Sequence, residues 1–149
     1  MSSAAWIIVV LLGCAGFTCI WLLAHHYIQT HKRMKKELHN MVSPQELLEK
    51  SVFSAGENPV FLDVRTIPEY IEGHIPNAQH LDFYGEGFLD HVQELKKYAV
   101  YVVYCRSGGR SLQAVQLMKT LGFEKIYNLE GGLAVWENVG GPIVEEVVE

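Results

Sequence analysis

The stretch VVYCRSGGRS, residues 102–111, sets one cysteine among two arginines, two serines and two glycines, directly after an apolar run. A thiol with an ordinary pKa near 8.5 is only about 3% ionised at neutral pH. A helix N-terminus and nearby cations lower that pKa to between about 3.5 and 7.5 and make the sulfur a nucleophile. Gly108 and Gly109 permit a tight turn whose amides point inward as an anion-binding nest. Arg106 and Arg110 are cations that stay charged at any relevant pH. Ser107 and Ser111 add hydroxyl donors or cap the next helix. The competing reading is a strand-end Cys105 that only packs, with its arginines in water, but a packing cysteine does not require glycines and arginines after it.

Such a loop needs a strand before it and a helix after it. Val100–Tyr104 (VYVVY) reads as a strand buried on both faces. Leu112, Val115, Leu117, Met118 and Leu121 outline a helix that starts near Gly109–Ser111 and ends at Gly122. Upstream, Ser43, Pro44 and Glu46 form a cap, proline and reciprocal acid for a short helix to about Ser51, with Leu47 and Leu48 facing inward. Val60–Val64 (VFLDV) is a second buried strand. Thr66, Pro68 and Glu69 repeat the capping pattern before a helix stopped by Gly73. A brief strand is expected at Gln79–Leu81. Phe88, Leu89, Val92, Leu95 and Tyr98 lie at helical spacing. Ile126–Leu129 is a last strand, followed by a turn and short helix through GGLAVWENVGGP. This alternation predicts an α/β fold with a mostly parallel central sheet, helices on both faces, and a functional loop outside the carboxyl end of a strand.

The N-terminal segment differs in kind. Residues 4–24 (AAWIIVVLLGCAGFTCIWLLA) carry no ionisable side chain except two thiols. Twenty-one helical residues reach about 31 Å, the thickness of a bilayer's hydrocarbon. Trp6 and Trp21 fit the membrane interfaces. A cleaved signal peptide is the competing reading, but no lysine or arginine precedes the run and no small-x-small site follows it. The segment is therefore expected to be a retained N-terminal transmembrane helix in the lipid bilayer. Lys32, Arg33, Lys35 and Lys36 follow it, so the positive-inside rule places the N-terminus outside and the domain in the cytoplasm, at the inner membrane if the source is bacterial. The expected organisation is a transmembrane helix at 4–24, a basic and polar connector at 25–41, a globular domain at 42–143 and an acidic tail at 144–149.

Beyond residue 39 there are 8 basic and 16 acidic side chains, a net charge of about −8, which argues against a nucleic-acid partner. Cys14 and Cys19 lie in the apolar segment and read as small helix residues, which leaves Cys105 alone in the domain with no disulfide framework. His25, His26 and His31 read as interfacial rather than metal-ligating.

At CRSGGRS the chain resembles the rhodanese family. FLDVR at 61–65, EYIEGHIPNAQHL at 69–81, and LEGGLAVW with GGPI between 129 and 143 match the family's pattern too, so the resemblance spans about residues 42–143. It implies a rhodanese-like sulfurtransferase of the thiosulfate:cyanide type that needs no cofactor or metal. Cys105 would take sulfur from a small donor such as thiosulfate or a persulfide and hold it as a persulfide. A thiol or cyanide would then accept it, in ping-pong fashion. The amides of residues 106–110 would stabilise the persulfide anion while Arg106 and Arg110 attract the donor. The resemblance makes Asp63 and Arg65 supports of the loop; a structural ion pair at the strand end is the other reading. His74 belongs to the family's scaffold, and Trp136 reads as core. Anchoring suggests a membrane protein or sulfur-carrier protein as partner.

Three other functions compete. Cell-cycle tyrosine phosphatases share this fold, but their loop has five residues between cysteine and arginine, whereas Cys105 and Arg110 are separated by four. The shorter ring suits sulfur rather than phosphate. A catalytically idle module that recruits partners to the membrane would have no need of the nucleophile and loop. A redox sensor would lack a second cysteine in the domain to resolve it.

Overall fold

The computed structural model describes residues 21–28, 40–49, 53 and 57–145. The chain divides into two compact units, Met1–His39 and Asn40–Glu149. In the first, residues 21–28 are helical (α1). Among the described residues no helix is long and apolar enough to cross a membrane. The expected span at 4–24 lies outside the described residues, save for 21–24 within α1, and so do the basic side chains of the connector.

The second unit runs β1 (Met41–Val42), α2 (Pro44–Leu48), β2 (Val60–Asp63), α3 (Ile67–Glu72), β3 (Gln79–His80), α4 (Phe88–Glu94), β4 (Tyr101–Tyr104), α5 (Gly109–Thr120), β5 (Ile126–Leu129) and α6 (Gly132–Asn138). The five strands form one sheet in the order β1-β5-β4-β2-β3, and every neighbouring pair is parallel. The alternation of strand and helix read from the sequence thus yields the expected layered architecture.

Period-two alternation along the strands sorts the core into two layers. Leu62, Val64, Tyr101, Val103 and Cys105 pack on one face with Phe88 and Val92 of α4 and Ala114, Val115 and Met118 of α5. Val102, Tyr104 and Leu129 pack on the other with Leu133 and Trp136 of α6, joined by Leu47 of α2 and Tyr70 of α3. The expectation of a buried Trp136 holds, and its indole N–H donates to the Pro142 carbonyl at 3.0 Å.

Both capping patterns form as expected. Glu46 accepts from the Ser43 amide at 2.8 Å and Glu69 from the Thr66 amide at 3.0 Å. Three expectations need correction. Helix α2 ends at Leu48, whose side chain is exposed rather than inward. Leu89 and Tyr98 are exposed too, because α4 buries only Phe88 and Val92, one turn apart, and Leu95 leaves the helix with extended backbone (φ −67°, ψ 149°). Strand β1 was not foreseen, since two residues are too few to show a period. The amides of Asn128 and Glu130 donate to the carbonyls of Asn40 and Val42 at 2.7 and 2.9 Å and hold it in place. Val144, expected in the acidic tail, exchanges two backbone hydrogen bonds of 2.9 Å with His74.

The chain leaves β2 toward β3 on one side, then returns across the sheet to place β4 on the other. This reversal makes the carboxyl ends of β2 and β4 the switch point of the sheet, where α/β folds leave a crevice for ligands. Asp63 and Tyr104, the last residues of these strands, are register partners. Cys105 follows immediately.

Candidate functional site

Cys105 is buried and unpaired, and its side chain belongs to the α4/α5 face of the sheet. The chain turns under it through Arg106–Gly108 and enters α5. Gly108, the N-cap of that helix, has a left-handed backbone (φ 96°) that favours glycine. Its amide donates to Cys105 Sγ at 3.2 Å, and the wholly buried Ser111 hydroxyl donates at 3.5 Å. Gly109 has ordinary φ and open space beside it, so only the first glycine of the pair is demanded by the turn.

Burial pushes the Cys105 thiol up, but hydrogen bonds from the Ser111 hydroxyl and from the amides of Ser111, Ser107 and Gly108 outweigh it. The net effect holds the thiol below its ordinary value. The Ser111 hydroxyl is the first of these donors, and backbone amides of the loop and of the helix start add to it. The sulfur is thus met by donors from Ser107, Gly108 and Ser111.

For amides to face inward, the carbonyls of the same turn must be satisfied elsewhere. The start of α6 does this: the Leu133 amide donates to the Cys105 carbonyl at 2.9 Å and the Ala134 amide to the Arg106 carbonyl at 3.1 Å. This docking brings Gly132 (φ 61°) so close that a Cβ there would lie 2.4 Å from the Cys105 carbonyl oxygen. Behind the loop, Asn128 Nδ2 lies 3.4 Å from the Gly108 carbonyl, and Leu112 returns an amide to that same carbonyl at 3.0 Å. Gly132 and Asn128 escaped the sequence reading as site residues. The pair GG at 131–132 was visible, but its task depends on a loop 26 residues away.

The arginines behave differently from the expectation that both would stand ready for an anion. Arg110 gives Nη1 and Nη2 to Glu69 Oε2 and Oε1 at 2.7 and 2.6 Å, a two-point pair with α3. The hydrogen bond from Arg110, despite some burial, holds the Glu69 carboxyl down at about 2. Arg106 pairs with Glu137 of α6 at 3.1 Å, with both side chains largely in solvent. Glu69 was legible only as a capping acid, and Glu137 carried no signal.

Asp63 and Arg65 bond to each other. Arg65 Nη2 donates to Asp63 Oδ2 at 2.6 Å and to the Gly73 carbonyl at 2.7 Å, with both side chains buried. Neither reaches the cysteine loop directly. Their link to it runs through Tyr104, whose ring lies 5.9 Å from the Arg65 guanidinium and whose hydroxyl accepts the Ile75 amide at 3.1 Å. The two side chains form a buried ion pair at the end of β2. His74 is likewise built into the scaffold, stacked on Tyr70 with ring centroids 3.8 Å apart and Nδ1 3.0 Å from the Tyr70 carbonyl. Tyr84 is exposed, with its ring 6.0 Å from the Arg110 guanidinium.

Residues 43–139 match the model of the rhodanese-like domain. Over 88 residues the chain is 36% identical to a protein of Allochromatium vinosum named sulfurtransferase, which covers 59% of this chain and 80% of that one. It is 32% identical over 80 residues to the thiosulfate sulfurtransferase GlpE of Pseudomonas fluorescens, covering 54% of this chain and 72% of that one. The crystal structure of a rhodanese-related protein from Thermoplasma volcanium superposes with a TM-score of 0.62 at 29% identity, covering 72% of this chain and 99% of that one.

Proposed function

The chain belongs to the rhodanese-like domain family, and from that premise we propose that it moves a sulfane sulfur from a donor to a thiophilic acceptor through a persulfide on Cys105. The observation that carries this reading is the pair of donors on the sulfur, the Gly108 amide at 3.2 Å and the Ser111 hydroxyl at 3.5 Å. Donors aimed at one sulfur favour its thiolate before reaction and a persulfide anion after it.

The steps balance without any other reagent. The Cys105 thiolate attacks the outer sulfur of thiosulfate, the sulfur–sulfur bond breaks, and sulfite leaves with the electron pair. The enzyme is left as Cys–S–S⁻. Cyanide or a thiolate then attacks the terminal sulfur, departs as thiocyanate or as a persulfide, and returns Cys105 as thiolate. The loop amides serve both half-reactions because the charge stays within one sulfur's breadth throughout.

Membrane anchoring through residues 4–24, with the N-terminus outside and the domain in the cytoplasm, is part of the same reading. The apolar run and the basic cluster at 32–36 support it. A membrane protein or a sulfur-carrier protein is the partner class this placement favours.

The test is the mass of the Cys105 peptide after the purified full-length chain meets thiosulfate or an alkyl persulfide. Gain of one sulfur atom, lost on adding cyanide with release of thiocyanate, is expected for the wild type and is absent in Cys105→Ser. An unchanged mass in a chain whose Cys105 is reduced overturns the reading, and efficient hydrolysis of aryl phosphates by that chain would point to a phosphatase instead.

A further inference from the structure

The cation beside the sulfur reaches the crevice already partnered. Arg110 is the second residue of α5 and lies between Gly108 and Ser111, which both donate to the Cys105 sulfur. Both of its Nη atoms are spent on Glu69. Glu69 is itself held by α3, because its Oε2 also accepts the Thr66 amide at 3.0 Å and the Thr66 hydroxyl at 2.8 Å. The carboxylate cannot follow Arg110 outward without breaking the cap of its own helix. At 19% and 31% exposed, the two side chains of the pair lie at the surface, where an approaching donor would meet them. Arg106, the other cation of the loop, is matched by Glu137. Both arginines of the loop are thus matched by a carboxylate.

We infer that Glu69 sets donor specificity: by neutralising Arg110 at the edge of the sulfur cradle, it disfavours dianionic donors such as thiosulfate and directs the site to persulfides of low charge. This rests on the sulfurtransferase reading above. With such a donor the Cys105 thiolate attacks the outer sulfur of R–S–SH, and R–S⁻ leaves with the bonding pair. The proton stays on the transferred sulfur until solvent removes it. No charge of two has to enter the rim. Glu69 acts through Arg110 and is a positioning residue.

Glu69→Gln separates charge from structure, because glutamine fills the same place in a capping box. Rates of Cys105 loading are measured by peptide mass in the full-length chain, purified in nonionic detergent, with thiosulfate and with the persulfide of 2-mercaptoethanol. Glu69→Gln is expected to raise the thiosulfate rate about tenfold, equivalent to about 1.4 kcal/mol, and to change the persulfide rate less than about twofold. Thr66→Ala, which weakens the cap and leaves the charge, should keep the ratio of the two rates unchanged. Wild-type thiosulfate loading should also not slow between about 20 and about 300 mM salt, because the paired rim leaves no net positive charge whose attraction salt would screen. Equal change with both donors in Glu69→Gln, or a fall with thiosulfate, overturns the inference. If that variant does not fold, slowing of wild-type thiosulfate loading by salt overturns it. Failure of both donors to load wild-type Cys105 overturns the sulfurtransferase reading itself.

Discussion

The floor of the site and its rim use the same chemistry, an arginine against a carboxylate, to opposite ends. On the floor, Asp63 and Arg65 are two residues apart at the carboxyl end of β2 and both are buried. At the rim, Arg110 reaches Glu69 and Arg106 reaches Glu137 across 41 and 31 residues of chain, and both pairs meet solvent. A buried pair is difficult to open, since each charge left alone pays its full desolvation. An exposed pair gains little stability and is free to be judged by the charge it shows to a ligand. The floor therefore holds the end of β2 against the Gly73 carbonyl and Tyr104, while the rim sets what approaches the sulfur.

The sharpest break in that contrast is Asp63→Ala. It strands a buried guanidinium and should cost about 3–5 kcal/mol of stability, read as a fall in the denaturation midpoint of the full chain. A loss below about 1 kcal/mol would put the floor pair in the same class as the rim pairs. The acid limb of stability probes the Glu69 pair. Its carboxyl sits at about 2 in the fold against an ordinary value of 4.5, so its stabilisation is complete above about pH 4.5 and is lost as pH falls toward 2. Allowing for solvent at the pair, about 1 kcal/mol should separate wild type from Glu69→Gln at about pH 6, and the gap should close near pH 2. A gap that persists there would make the effect something other than this charge. Glu137→Gln is the smallest. The exposed pair with Arg106 should contribute less than about 0.5 kcal/mol, and donor rates should move less than about twofold. A tenfold change in thiosulfate loading would give the second arginine the standing argued for the first.

Legibility followed sequence distance. The cysteine, Gly108 and Ser111 lie within one turn and its helix, so residue type and spacing were enough to foresee donors converging on the sulfur. Both helix caps were readable for the same reason, as each closes over three residues. Glu69 was readable as the acid of its cap but not as the partner of Arg110, because that role exists only once α3 and α5 lie side by side. Gly132 was visible as a glycine and silent about its task, since the carbonyl it must approach belongs to Cys105. Leu89 and Tyr98 followed the apolar spacing, but α4 ends before Tyr98 and turns Leu89 toward water.

What the linear chain determined is local in origin: a thiol at a strand end, a turn that aims amides at it, and the alternation of strands and helices that builds the sheet. Each depends on backbone geometry over a few residues, and amino-acid type controls that directly. Tertiary structure decided the charge of the site. Whether an arginine is offered to a substrate or consumed by a carboxylate depends on which helix packs beside it, and that follows from burial of apolar faces rather than from the residues that carry the charge.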